Sequence, residues 1–465
     1  MTELRFPSAV TGIALALSAA GCATMIPAYE RPAAPVAGTY PGPAAQEPAG
    51  AAASDIEWQS YFGDERLKRL IDVALKNNRD LRVSVLNIEQ ARAQYRVRRA
   101  DELPTVGIGA AGTRQPNGSG SISSVYTAGV SVTAYELDFF GRVRSLSQAA
   151  LAQYLGTEEA RKNVQIALIS SVANTYLNLL ADDELLAVTR RALVTREESL
   201  QLTKLRFDVG AASELDYRQA ESLLEGARAT LAQLMRQRAL DENALVLLLG
   251  QPLPADLPQG LGIANQKLIN ELPVGIPSEV LIRRPDVREA EQQLIAANAN
   301  IGAARAAFFP RITLTGSAGS ASSELSGLFK NGSFAWTFMP QLLLPLFDAG
   351  RNQANLDAAY VSRDIAVAQY EKAIQSAFRE VSDALAGRAT LGEQVRAQEA
   401  QANAEAVRVK LADLRYRNGA ASYLDVLDAQ RSLFAAQQAL VQAQAQQVQN
   451  QVNLYKVLGG GWKTP

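Results

Sequence analysis

The residues best placed to act chemically lie near the end of the chain. Asp425 and Asp428 stand three apart in an apolar stretch that follows Gly419. That spacing puts both carboxylates on one face of a helix. Repeated around a symmetry axis, they form two rings of like charge, which favour cations and narrow a pore. A solvated helix start accounts for the same acids through the helix dipole, worth ~0.3–1 kcal/mol. Both readings stand on these residues alone. Other chemistry is largely excluded. The chain has 465 residues and His 0, so imidazole catalysis and His-ligated metal sites are ruled out. A single cysteine, Cys22, rules out an internal disulfide and a four-cysteine zinc site. No nucleophile–base pair, phosphate loop or ligand cluster is present in the sequence. The expectation is a protein that is not an enzyme and holds no metal or diffusible cofactor. Lys+Arg 46 against Asp+Glu 47 gives no reason to expect a nucleic-acid partner.

The cysteine has a different use. Arg5 precedes an apolar run from Ala9 to Ala20, and small residues lead to Gly21-Cys22. This describes an export signal over 1–21, too short for a membrane span. Cys22 stands where lipoprotein processing would leave an acylated first residue; the plainer alternative is an ordinary secretory signal with an incidental cysteine. Acyl chains contribute ~0.8 kcal/mol per buried CH₂, so three would anchor the protein firmly. Ala23, in place of an aspartate, favours the outer membrane. Residues 22–53 form a lipidated linker, rich in Ala, Pro and Gly from Ala33 onward.

The rest is written twice. Leu205-Arg206-Phe207-Asp208-Val209-Gly210-Ala211-Ala212-Ser213 returns 209 residues later as Leu414-Arg415-Tyr416-Arg417-Asn418-Gly419-Ala420-Ala421-Ser422. The same offset pairs Gly141-Arg142 with Gly350-Arg351, and Leu103-Pro104 finds its counterpart in Phe309-Pro310. Two structural repeats follow, 54–260 and 261–465. Each is expected to carry a long helical hairpin, 142–249 and 350–458. Val172, Leu179, Leu186, Leu193, Leu200 and Phe207 recur every seven residues, the spacing that winds helices around each other. Gly210 and Gly419 end the outgoing helices. Eight glutamines between Gln437 and Gln451 give the last helix a polar face suited to a water-filled canal.

Ahead of each hairpin, period-two alternation predicts two strands: near 105–113 and 125–137 in the first repeat, 311–319 and 334–345 in the second. Six of 13 Phe lie between Phe308 and Phe347, which suits an interfacial aromatic girdle. Alternation alone also permits a soluble four-stranded sheet. In lipid, four strands cannot close, and open edges are not tolerated. Several copies must then share one barrel; a homotrimer supplies twelve strands, whereas a dimer's eight would be filled by side chains.

These residues resemble the TolC-type outer membrane factor family, in its OprM/NodT-like lipoprotein branch. The likeness covers essentially the whole mature chain. It is carried by Trp58, Phe62-Gly63-Asp64, Leu67, Leu70-Ile71, Ala74-Leu75 and Asp80-Leu81, by Asp138-Phe139-Phe140-Gly141-Arg142, and by Ile276-Pro277-Ser278. Leu281-Ile282-Arg283-Arg284-Pro285-Asp286-Val287, Leu427-Asp428-Ala429-Gln430 and the closing Gly459-Gly460-Gly461-Trp462 complete it. The resemblance implies a mainly helical protein with membrane β-structure: a trimeric 12-stranded barrel in the Gram-negative outer membrane, continued by a long periplasmic α-barrel. It implies the exit duct of a tripartite efflux pump, with a periplasmic adaptor and an inner-membrane transporter of the resistance–nodulation–division class as partners. It also implies that Leu424, Asp425 and Asp428 form the gate. A latch between hairpins matches Tyr416 and Asp216; Arg417 stands in for an arginine the family places beyond the glycine, where this chain has Ala421. The small tips Gly210, Ala211, Ser213, Gly419, Ala420 and Ser422 would meet the adaptor. A duct for type I protein secretion is the main alternative, and a non-conducting periplasmic coiled-coil scaffold a more distant one.

Overall fold

The computed structural model describes residues 24–41, 53–116, 118, 120–269, 272–274 and 277–463. The signal at 1–21, Cys22 and linker residues 42–52 lie outside the described residues. After a single helical turn at Trp58–Tyr61 come α1 (Glu65–Asn77) and α2 (Arg79–Ala100), then strands β1 (Val106–Pro116) and β2 (Ile122–Glu136). The first hairpin is α3 (Arg142–Asp208) and α4 (Glu214–Leu249). Two helices, α5 (Pro277–Arg283) and α6 (Pro285–Ala306), precede β3 (Arg311–Ser322) and β4 (Phe334–Leu343). The second hairpin is α7 (Arg351–Arg417) and α8 (Tyr423–Val457). Two compact units emerge, and they are not the two sequence halves. One draws on 86–159, 288–372 and the described residues up to Ala33; the other on 34–85, 160–287 and 373–463.

The first unit is built on one antiparallel sheet in the order β1-β2-β3-β4. Cross-strand partners share a face, so the register sorts the side chains. Ile108↔Val130↔Ala318↔Trp336 make one row, and Val106↔Val132↔Gly316↔Phe338 the next. That face is apolar. Gly107↔Ser131↔Ser317↔Thr337 and Ala111↔Thr127↔Ala321 occupy the other, where small residues and hydroxyls prevail. At the Gly129↔Gly319 pair of β2 and β3 there is no room for a side chain: a Cβ on Gly319 would lie 2.2 Å from the Ala128 carbonyl oxygen. The register shifts between Val132 and Tyr135, and Ala134 takes a left-handed φ of 52° there. β1 and β4 each pair on one side only.

The end of the sheet is fixed by charge and by stacking. Glu136 accepts from Arg142 Nη2 at 2.7 Å and pairs with Arg311 at 2.7 Å, tying β2 to the starts of α3 and β3. Phe140 and Phe309 stack at 4.7 Å. Residues 25–31 run antiparallel to α6: Arg305 donates to the Met25 carbonyl, Asn298 to that of Pro27, and Tyr29 and Arg31 both donate to Glu291. Gly302 admits this strap, since a Cβ there would stand 2.5 Å from Ile26.

The second unit holds the large apolar core. Its centre is Asp64, 1% exposed, whose carboxylate accepts five hydrogen bonds. The backbones of Arg66 and Leu67 make it the N-cap of α1. Tyr176 Oη, Leu261 N and Gln266 Nε2 bring α3 and the loop after α4 to the same oxygen, at 3.1, 3.0 and 3.0 Å. Tyr61 and Tyr455 stack at 4.0 Å beside it, over Leu67, Leu70, Ile71 and Val172. Pro285 opens α6. Arg284 does more than precede it: nearly buried, it binds Asp286 and Glu380, each at 2.7 Å, and the Val457 carbonyl at 3.0 Å. The seven-residue seam of α3 is buried at Val172 and Leu186, but Phe207 near the tip is 38% exposed.

Two tests follow from these faces and charges. Val130→Arg, on the apolar face, should cost ~2–4 kcal/mol near the bilayer midplane, whereas Ser131→Arg should be tolerated. The yield of heat-modifiable protein in outer-membrane fractions reads the difference. In the helical hairpin, burial and then the Asp241 carboxyl push Asp182 up to about 7. The folded state therefore holds this proton more tightly than the unfolded chain, and its contribution to stability falls as pH rises from about 4 to about 7. The purified protein's melting temperature should fall across that window, and Asp182→Asn should flatten the dependence.

Candidate functional site

The second unit carries both hairpin tips, and they are built alike. At the first, Gly210 takes φ 76°, with Gly210 N bonded to Phe207 O and Ala211 N to Arg206 O. At the second, Gly419 takes φ 72°, with Gly419 N on Tyr416 O and Ala420 N on Arg415 O. This is the Schellman closure, in which a left-handed glycine satisfies the last helical carbonyls. Each return helix then opens on a capping box: Ser213 with Asp216 in α4, Ser422 with Asp425 in α8. Small residues are required here because the chain reverses within a few positions. Ala211, Ser213, Ala420 and Ser422 are exposed, as are both glycines.

Asp216 and Asp425 are thus structurally engaged. Asp425 Oδ2 accepts from Ser422 N at 3.1 Å and from its hydroxyl at 3.2 Å. Asp428 lies one turn further along α8. Arg408 of α7 donates to it at 2.6 Å, and Arg431 donates from α8. Hydrogen bonds from Arg408, then from Arg431, hold the Asp428 carboxyl below its usual range. Its charge is fixed, and its position is set by the neighbouring helix. Leu424 projects at 52% exposure. Leu424, Leu427, Asp428 and Arg431 of α8 line a shallow groove with Gln219, Ser222 and Leu223 of α4.

The latch residues are arranged differently from the sequence expectation. Arg417 pairs with Asp413, one turn back on its own helix, at 2.8 Å and does not reach Asp216. Proximity decides this, since positions four apart on a helix face each other. Tyr416 does cross to the first hairpin, where Asp216 stands near enough to act on its phenol and Arg206 is its hydrogen-bond partner. Arg206 Nη1 donates to the Tyr416 hydroxyl, and the guanidinium lies 5.2 Å from the ring centroid. Burial pushes the Tyr416 phenol up, so it stays neutral and accepts this bond. Further rungs join α3 to α8: Tyr423 Oη donates to Ser199 O at 3.2 Å, and Gln430 Nε2 to Ser199 Oγ at 3.3 Å. Sequence reasoning missed Arg206 and Ser199. The internal repeat offered one hint, because it aligns Phe207 with Tyr416 and so leaves Arg206 beside the crossing position.

The inter-hairpin link generates a graded prediction. Arg206→Ala and Tyr416→Leu should each raise single-channel current in planar bilayers, while Arg417→Ala should leave it unchanged. An exposed link of this kind is worth ~0.5–1 kcal/mol, so the rise should be a few-fold at most.

Comparison with known proteins agrees with this geometry. The family described as "Outer membrane efflux protein" matches residues 70–251 and 276–460, one stretch in each repeat. The chain is 48% identical over 472 residues to the toluene efflux pump outer membrane protein TtgC of Pseudomonas putida, covering 99% of this chain and 96% of that protein. It is 48% identical over 461 residues to the outer membrane protein OprJ of Pseudomonas aeruginosa, covering 97% and 96%. The open-state crystal structure of the Neisseria gonorrhoeae MtrE outer membrane channel superimposes with a TM-score of 0.88 and 44% identity, covering 95% and 99%.

Proposed function

Because the chain belongs to the outer membrane efflux protein family, we propose that its hairpin tips and the start of α8 form the docking and gating end of the duct. The duct itself is the established part. The protein is an outer membrane component of a tripartite efflux pump, without enzymatic activity, and associates with an adaptor and an inner-membrane transporter. It forms a trimeric channel with a 12-stranded β-barrel, four strands from each chain, continued by an α-barrel reaching into the periplasm.

The observation that carries the reading is the two-faced sheet with both edges unpaired. The apolar face suits lipid and the hydroxyl-rich face suits water, which disfavours a soluble scaffold. Hydroxyls, methyls and bare glycines bind no solute strongly, so the barrel conducts what is delivered to it. Within the pump, a resistance–nodulation–division transporter supplies the cargo, and its adaptor meets Gly210, Ala211, Ser213, Gly419, Ala420 and Ser422. Small exposed tips support this contact, because helix ends approach closely where side chains are short. Leu424, Asp425 and Asp428 narrow the periplasmic end, and opening separates the second hairpin from the first. Arg206–Tyr416 and the Ser199 rungs support a closed state held by several weak links. A lipid on Cys22 is supported by the strap, which brings Met25 to the end of α6 just before β3.

Native mass spectrometry of membrane-extracted protein should give three copies of a mature chain beginning at an acylated Cys22. A mass of one chain would overturn the shared barrel. In a host lacking its own efflux channels, co-expression with a matching adaptor and transporter should restore drug tolerance, and Gly419→Trp should abolish it without loss of trimer.

A further inference from the structure

Arg196 of α3 is 6% exposed and carries a full charge into the interior of the second unit. One guanidinium nitrogen donates to the Leu223 carbonyl of α4 at 2.9 Å. The guanidinium also lies 4.8 Å from the Phe434 ring of α8, the gate-bearing helix. No carboxylate pairs with it among the described residues. Glu197, its neighbour, turns to Arg228 instead. The corresponding position of the second repeat is Glu405, which lies beside Arg408 and the Asp428 bonds, so this buried cation belongs to the first hairpin alone. Loss of hydration pulls the guanidinium down from its usual value.

We propose that Arg196 is a positioning residue that biases the gate toward opening, acting as a desolvated charge that the packed arrangement of the two hairpins must keep dry. The inference rests on the reading that opening separates the second hairpin from the first. The Leu223 bond lies within the first hairpin and survives that movement. Of these two contacts the Phe434 ring is the one lost, and water replaces it. A ring face returns less than the hydration a buried ion forfeits, so the exchange favours separation. The weak rungs at Ser199 and Arg206 then act against a fixed opposing term.

Single-channel recording of the purified trimer in planar bilayers, with potassium chloride as the conducting salt, tests this through two variants of opposite sign. Arg196→Met keeps the length and removes the charge. It should lower the open fraction about tenfold, while the trimer's melting temperature holds or rises. Phe434→Leu removes the ring and leaves the charge, and should raise the open fraction. An Arg196 that merely clamped the hairpins would give a rise in both variants, which overturns the proposal. If neither variant moves the current while Tyr416→Leu does, the proposal fails and the gate reading stands. If Tyr416→Leu is silent as well, both fall.

Discussion

A peptide group inside a bilayer has no water to bond, and this constraint organises the protein. The sheet answers it only in part, since β1 and β4 each keep one row of backbone donors and acceptors unpaired. No rearrangement within four strands removes those two rows. A copy on either side does, and the trimer is the consequence. The alternation of side chains then follows, because a closed barrel has a lipid side and a water side.

The helical part faces the opposite problem. Helices satisfy their own backbones, so what must be specified is where they stop and what holds them side by side. Stopping is local: glycine in the left-handed region, two alanines, then serine with an aspartate three further on. Holding is uneven. The large core gathers around Asp64, whose five donors come from three separate stretches of chain. Removing such an acceptor strands buried donors, each costing ~1–3 kcal/mol. Toward the tips the apolar seam thins, and single polar rungs take over.

This gradient also explains what the sequence revealed. Helix ends, strand alternation and the repeat depend on neighbours within a few positions or on pattern, and they were legible. Arg206–Tyr416, Arg284–Glu380 and the hub at Asp64 join residues far apart in the chain, through side chains of ordinary type. Nothing in their spacing marks them. Arg417 has a related ambiguity: a family pattern suggests a distant partner, while Asp413 on the same helix face is within reach. Asp425 shows the converse, since both its readings use the same carboxylate. It caps α8 through Ser422, and the cap fixes where its charge stands.

The two tips share one backbone design, and each neutralises its own charges. At the first, Lys204 pairs with Asp208 and Arg218 with Glu214; at the second, Asp413 takes up Arg417. What the tips present in common is therefore a bare backbone turn rather than a charge, and a single kind of contact suffices to recognise either one.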